Sequence, residues 1–275
     1  MRAAAVQLNS SDDRGRNLEA AERQVRAAAS DGAELVALPE KWNLLGSGEA
    51  LLAGAEPLDG PALSTARSWA RELEIHLLCG SIAERAEGEE KLFNTSVLVG
   101  PDGSDLAVYR KIHMFDVEVG GVSYRESEHE RGGDQIVTAT IADVQIGLTV
   151  CYDLRFPELY RILAVRGARL ITVPSAFTYP TGRDHWEVLL RARAIENQAF
   201  LIAPNQVGEA PPHYRSWGNS AIVDPWGELL AVAAEGECFV AADLDFGAQD
   251  VVREKLPSLA NRRPDAYRWP EEVRA

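Results

Sequence analysis

Short apolar runs alternate with helical stretches along nearly the whole chain, which restricts it to sheets covered by helices. Residues 3–8 read as a strand, and residues 14–31 as a helix in which Leu18, Ala21 and Val25 recur at helical spacing until Gly32 stops it. A strand over 34–38, a helix over 62–73 and a strand over 75–80 complete the first half of the pattern. Gly100-Pro101-Asp102-Gly103 joins strands 95–99 and 106–110, and Ala142-Asp143 joins strands 136–141 and 144–150, so antiparallel pairs are mixed in. The alternation then resumes with a helix over 157–165, a strand over 169–173, a helix over 184–197 and a strand over 200–203. Strands over 219–223 and 228–233 pair across Asp224-Pro225-Trp226-Gly227, a further strand covers 237–243, and a helical segment starts near Phe246. No Ser/Gly/Pro-rich linker divides the 275 residues, so they are read as one α/β domain, residues 1–275, with an irregular C-terminal arm from about 256.

Composition narrows the function classes. With 46% hydrophobic and 25% charged residues the chain resembles ordinary globular domains, and its formal charge of -14 disfavours nucleic acid as a partner. Apolar runs are interrupted well short of a membrane span, and residues 3–8 are too short for a signal-peptide core. Three cysteines without CxxC spacing fit a reducing compartment, so a cytoplasmic protein without membrane association is expected.

Cys151 stands at the end of the apolar run 144–150, where the chain turns toward a helix. Such a turn suits a nucleophile with backbone N–H groups around it; the alternative is a buried apolar thiol, as read for Cys79 and Cys238. Glu40 leaves a similar strand end through Pro39 and reads either as a general base or as a surface or helix-capping carboxylate. Lys111 ends the strand 106–110 and opens a long loop; it reads as an oxyanion stabiliser or as a solvated side chain, and Lys41 as solvated. His113 invites a Cys–His dyad but fits a structural role better. The five histidines show no metal-ligand spacing, and neither hairpin turn has the glycine pattern of a phosphate loop.

Together, Leu38-Pro39-Glu40, Arg110-Lys111-Ile112-His113 and the run from Val150-Cys151-Tyr152 to Pro157-Glu158 resemble the three signatures of the nitrilase, or carbon-nitrogen hydrolase, family. The resemblance extends through Pro174-Ser175-Ala176-Phe177, the stretch from His185 to Asn197, and Gly218-Asn219-Ser220. It implies a four-layer α-β-β-α sandwich of two mixed sheets, a homodimer or higher homo-oligomer, and no metal or organic cofactor. It also implies Glu40 as general base, Lys111 as oxyanion stabiliser, Cys151 as nucleophile, and Glu126 as the second glutamate orienting the lysine and the substrate. Tyr152 would offer its backbone N–H to the oxyanion. The run following Cys151 is most similar to the deaminated-glutathione amidase and ω-amidase branch, which implies a small carboxylate-bearing amide as substrate. Arg155 would bind the carboxylate, with Phe177, Tyr179 and Thr181 along the pocket. N-carbamoyl-amide hydrolase and aliphatic nitrilase are the enzyme alternatives, and a noncatalytic scaffold the alternative of another class.

Overall fold

The computed structural model describes residues 1–212 and 214–267. Two mixed sheets form its frame. The first has seven strands: Cys238–Asp243, Arg2–Gln7, Leu35–Ala37, His76–Leu78, Phe93–Val99 and Ile82–Glu84 lie side by side, and Asp105–Arg110 also pairs with Phe93–Val99. The second runs in the order Leu229–Val232, Ala221–Val223, Phe200–Ala203, Leu170–Thr172, Val144–Leu148, Thr138–Ile141. Each sheet has three parallel strands at its centre, Arg2–Gln7, Leu35–Ala37 and His76–Leu78 in one and Val144–Leu148, Leu170–Thr172 and Phe200–Ala203 in the other. The helices of the alternating pattern supply the crossovers that parallel strands require.

Side-chain alternation separates the layers. Along Arg2–Gln7, Ala3 and Ala5 join a core with Ile146, Leu148 and Leu170 of the second sheet, whereas Ala4 and Val6 pack with Ala21, Val25 and Ala66 of the helices Arg14–Ser30 and Pro61–Leu73. The opposite outer layer consists of Pro157–Val165 and Glu187–Asn197, which bury Leu159, Leu163, Leu190 and Ala194 against the second sheet. The α-β-β-α sandwich implied by the resemblance is therefore present.

Several elements escape the sequence reading. Residues 116–133, expected as a long loop, contain a hairpin of Asp116–Val119 and Val122–Arg125, turned by Gly120 and Gly121. Their φ values of 61° and 77° suit a two-residue turn that other residues adopt with strain. A second hairpin, Val207–Ala210 with Tyr214–Trp217, rises beside it, and a seven-residue helix, Gly48–Gly54, follows Glu40. The helix expected over 184–197 opens instead with a π-helical turn, Gly182–Trp186. Of the C-terminal arm, residues 256–267 include a 3-10 turn, Pro264–Ala266, while residues 268–275 lie outside the described residues.

Candidate active site

The carboxyl ends of the central strands deliver the reactive groups. The chain leaves Leu35–Ala37 through Leu38-Pro39 to Glu40, and leaves Val144–Leu148 through Thr149-Val150 to Cys151. Both exits use left-handed backbone outside glycine, with φ 52° at Lys41 and φ 48° at Cys151. Such strain persists only where surrounding contacts fix it. At Cys151 the fixing contacts are its own N–H, donated to the Pro174 carbonyl at 2.8 Å, and the buried Asp153 carboxylate. Asp153 accepts from the Val150 N–H at 2.8 Å and the Tyr109 hydroxyl at 2.6 Å, and lies 2.7 Å from His113 Nδ1. His113 also stacks on Phe156 at 3.5 Å, so its ring braces the turn that carries the thiol. Gly80 lets the Glu40 exit lie close to its neighbour: a Cβ there would meet the Pro39 carbonyl oxygen at 1.9 Å.

Glu40, Lys111, Glu126 and Cys151 line one pocket of about 500 Å³. Lys111, only 1% exposed, sets Nζ 3.1 Å from Glu40 Oε1 and 2.9 and 2.8 Å from the two Glu126 oxygens. The Asn94 amide ties the carboxylates together, donating to Glu40 Oε1 at 2.8 Å and to Glu126 Oε1 at 3.2 Å. Glu40 Oε2 accepts the Ala176 N–H at 2.8 Å, and Glu126 Oε2 that of Phe115 at 2.7 Å. Glu40 is thereby held by donors from both sheets and keeps an edge toward Cys151.

The charges in this buried site are interdependent. Burial opposes ionisation of Glu126, but Lys111 and Lys41 outweigh it and hold the carboxyl well below its usual range. Burial likewise opposes the Lys111 ammonium, and Glu126 with Glu40 more than restores it. The Cys151 thiol is pushed well up, first by burial and then by the Glu40 charge, against the pull of Lys111. Burial and the Glu40 charge thus favour the neutral thiol form of Cys151.

Lys41, expected to be solvated, is instead 8% exposed and bonds Glu130 Oε1 at 2.7 Å, with Glu126 Oε1 3.8 Å away. The left-handed turn after Glu40 folds it inward. Glu130 is 1% exposed, and its Oε2 has no donor among the described residues. Burial together with the Glu126 charge pushes Glu130 up to about 7 against the pull of Lys41.

The walls carry the remaining expected residues. Tyr152, Arg155, Phe177 and Thr181 line the pocket. The Tyr152 ring packs 5.0 Å from Phe115 and 5.3 Å from Phe156, and Thr181 Oγ1 lies 2.7 Å from Thr178 Oγ1. Arg155 reaches over Phe177 at 5.2 Å and meets His185 Nδ1 at 3.3 Å, with no carboxylate in ion-pair distance among the described residues. Tyr179 departs from expectation: it is absent from the pocket wall, because the chain turns into the short helix Tyr179–Thr181 and its ring packs on Trp217 at 5.1 Å beneath the Arg215 guanidinium at 3.9 Å. Sequence reasoning missed Asn94, Asp153, Glu130, Arg125 and Arg215. Of these only Asp153 carried a signal, its place two residues beyond the candidate nucleophile.

Comparison with known proteins agrees with this geometry. Residues 2–253 match the carbon-nitrogen hydrolase family. The chain is 38% identical to omega-amidase NIT2 of Homo sapiens over 97% of its own length and 96% of the relative's. It is 39% identical to the deaminated glutathione amidase of Synechocystis, covering 94% of this chain and 97% of that one. Among solved structures, Nit3 of Saccharomyces cerevisiae, a member of branch 10 of the nitrilase superfamily, superposes with a TM-score of 0.87 at 30% identity, covering 97% of both chains. A match of that extent, on a sandwich whose strand ends gather a cysteine, a lysine and two glutamates, means that the chain belongs to the carbon-nitrogen hydrolase family.

Proposed function

We propose that the protein is a cysteine amidase that hydrolyses a small carboxylate-bearing amide, of the deaminated-glutathione or ω-amide type, through a thioester. The observation that carries the reading is the buried contact of Lys111 with Glu40 and Glu126 beside Cys151, in a pocket that also holds Arg155, which has no carboxylate in ion-pair distance among the described residues. The substrate carboxylate pairs with Arg155, whose fork takes two oxygens at once. Glu40 accepts the thiol proton as Sγ attacks the amide carbon. Lys111 and the Tyr152 backbone N–H stabilise the oxyanion, and Glu126 holds the ammonium in line. Collapse breaks the C–N bond, and the proton held on Glu40 leaves with the amine. Glu40 then takes a proton from water, whose oxygen attacks the thioester; the acid departs and the proton returns to Cys151. All proton transfers balance within the site.

The test is product analysis by mass spectrometry on carboxylated amides, an N-carbamoyl amino acid and a simple nitrile. Turnover of the carboxylated amides, abolished in Cys151→Ala and with KM raised about tenfold or more in Arg155→Leu, is the expected result. Activity on the carbamoyl compound or the nitrile alone overturns it. A second copy of the chain is proposed to cover Val188, Ile195 and Trp226, which are 66%, 48% and 60% exposed. Three unpaired cysteines support a cytoplasmic location.

A further inference from the structure

The left-handed elbow at Lys41, φ 52°, needs fixing contacts of its own, and a buried amide supplies them from the other sheet. Gln206, 1% exposed, donates from Nε2 to the Glu40 carbonyl at 2.9 Å, where the chain enters the elbow. Where it leaves, the Trp42 carbonyl accepts from the Ser10 hydroxyl at 2.9 Å, and between them the Lys41 N–H donates to Ser81 Oγ at 3.1 Å. Ser10 and Gln206 are joined twice: the Ser10 N–H donates to Gln206 Oε1 at 2.9 Å, and Gln206 Nε2 donates to Ser10 Oγ at 3.0 Å. Both hydrogens of the amide are thereby committed to the elbow and to the serine that clasps its far side.

The same stretch of chain also governs the carboxylate end of Glu40. Its Oε2 accepts the Ala176 N–H, and the residues on either side of Ala176 are bound to Asn205-Gln206: the Gln206 N–H donates to the Ser175 carbonyl at 2.9 Å, and the Phe177 N–H to Asn205 Oδ1 at 3.0 Å. Asn205, fully buried, is locked in turn by its N–H on Ser220 Oγ at 2.8 Å and its Nδ2 on the Gly218 carbonyl at 2.7 Å. The pair follows the strand Phe200–Ala203 of the second sheet, whereas Glu40 follows Leu35–Ala37 of the first. Main chain and carboxylate of Glu40 are therefore both referred to one rigid point across the sandwich. Ser10, Asn205 and Gln206 are absent from the pocket wall.

We infer that Gln206, with Asn205 and Ser10, is a positioning residue that aims Glu40 at the scissile nitrogen, and so controls amide turnover from outside the pocket. The inference rests on the amidase reading and deepens it. Without the Nε2 donor the buried Glu40 carbonyl loses that partner, the elbow loses a contact that opposes its strain, and the carboxylate is free to shift. Small displacements matter most where a proton must be delivered to a defined atom. An amide C–N bond breaks only as the nitrogen receives the proton held on Glu40, whereas a phenyl ester expels phenoxide without one. The two leaving groups therefore separate the aim of the carboxylate from the integrity of the fold.

The test compares glutaramate with the phenyl monoester of glutarate, which share one acyl group, in wild type, Gln206→Met and Gln249→Met. Gln249 is as deeply buried as Gln206, but its amide bonds Arg169 and Gln198 from the helix Phe246–Lys255, away from the pocket wall. Gln206→Met is expected to lower the amide-to-ester ratio of kcat/KM about tenfold or more, through kcat of the amide with its KM within about threefold, while Gln249→Met keeps the ratio within about twofold of wild type. Because both rates come from one preparation, misfolded enzyme cancels from the ratio. Ser10→Ala deletes only a hydroxyl and is expected to lower the same ratio about threefold, which decides the matter should Gln206→Met not fold. A wild-type ratio in Gln206→Met or in Ser10→Ala, a loss carried by KM, or an equal loss in Gln249→Met overturns the positioning role. If the wild type cleaves the ester and a nitrile or carbamoyl compound but no carboxylated amide, the amidase reading fails instead, and the ratio taken with that compound still judges Gln206.

Discussion

Glu130 and Lys41 allow a test of the buried charge arithmetic, because the structure assigns opposite outcomes to two substitutions at one ion pair. Three carboxyls, Glu40, Glu126 and Glu130, face two ammonium groups, Lys41 and Lys111. The surplus acid is Glu130, pushed up to about 7 from a usual 4.5 by burial and by Glu126. A carboxyl raised in the folded state contributes stability that is fully present below its unfolded pKa and is lost as pH rises through the folded one. Glu130→Gln keeps an acceptor for Lys41 and does not titrate. The unfolding free energy of wild type minus that of Glu130→Gln is therefore expected to fall by about 2 kcal/mol between about pH 5 and about pH 8. Urea titrations at both pH values measure it, and other groups cancel in the difference. Lys41→Met removes a cation from two buried acids and is expected to cost about 3 to 5 kcal/mol at neutral pH. A wild type that gained stability relative to Glu130→Gln as pH rises would refute the reasoning, since Glu130 would then be an ordinary ionised partner of Lys41.

Two further outcomes follow from single contacts. Asn94→Leu deletes the donor shared by Glu40 and Glu126; hydrogen bonds to charged groups contribute about 1.5 to 3 kcal/mol, so kcat is expected to fall about 10- to 100-fold. KM should stay within about threefold, because Asn94 holds the proposed base from outside the pocket wall, and an equal loss through KM would contradict that role. Trp226→Asp places a charge in the exposed apolar patch with Val188 and Ile195, and sedimentation should show a smaller species than the wild type; a wild type that sediments as a monomer would remove the proposed interface.

What was legible in the sequence was what strand ends announce. Glu40, Lys111 and Cys151 each terminate an apolar run, and sheets place such termini together. Asn94 gave no signal because it lies inside the fully buried strand Phe93–Val99, where an amide looks like any interruption of an apolar pattern. Lys41 misled because solvation is the ordinary state of a lysine after a strand, and only the left-handed turn at φ 52° folds it inward. The Asp116–Arg125 hairpin was readable in principle, since Gly120-Gly121 sits between Val117, Val119 and Val122, but the whole glycine-bearing stretch passes for a loop. Gly48–Gly54, seven residues bounded by glycines, is too short for periodicity to show; its sign is the Ser47 cap, which accepts from the Ala50 N–H.

The proposed base and nucleophile belong to different sheets, and this determines what must stay rigid. Glu40, Asn94 and Lys111 come from the sheet containing Leu35–Ala37, Phe93–Val99 and Asp105–Arg110, whereas Cys151 and Ala176 follow strands of the other. Neither sheet alone assembles the site. The separation of Glu40 from Cys151 is thus set by the packing between sheets, where Ala3, Ala5 and Ala37 on one side meet Ile146, Leu148 and Leu170 on the other. Small against branched side chains fix that spacing, since interiors pack at the density of organic solids. The Ala176 N–H donated to Glu40 at 2.8 Å bridges the same gap by a hydrogen bond. Proton transfer between thiol and carboxylate tolerates little displacement. Alignment of the proposed reacting pair is therefore maintained in large part by alanines of the core between the sheets, outside the pocket wall.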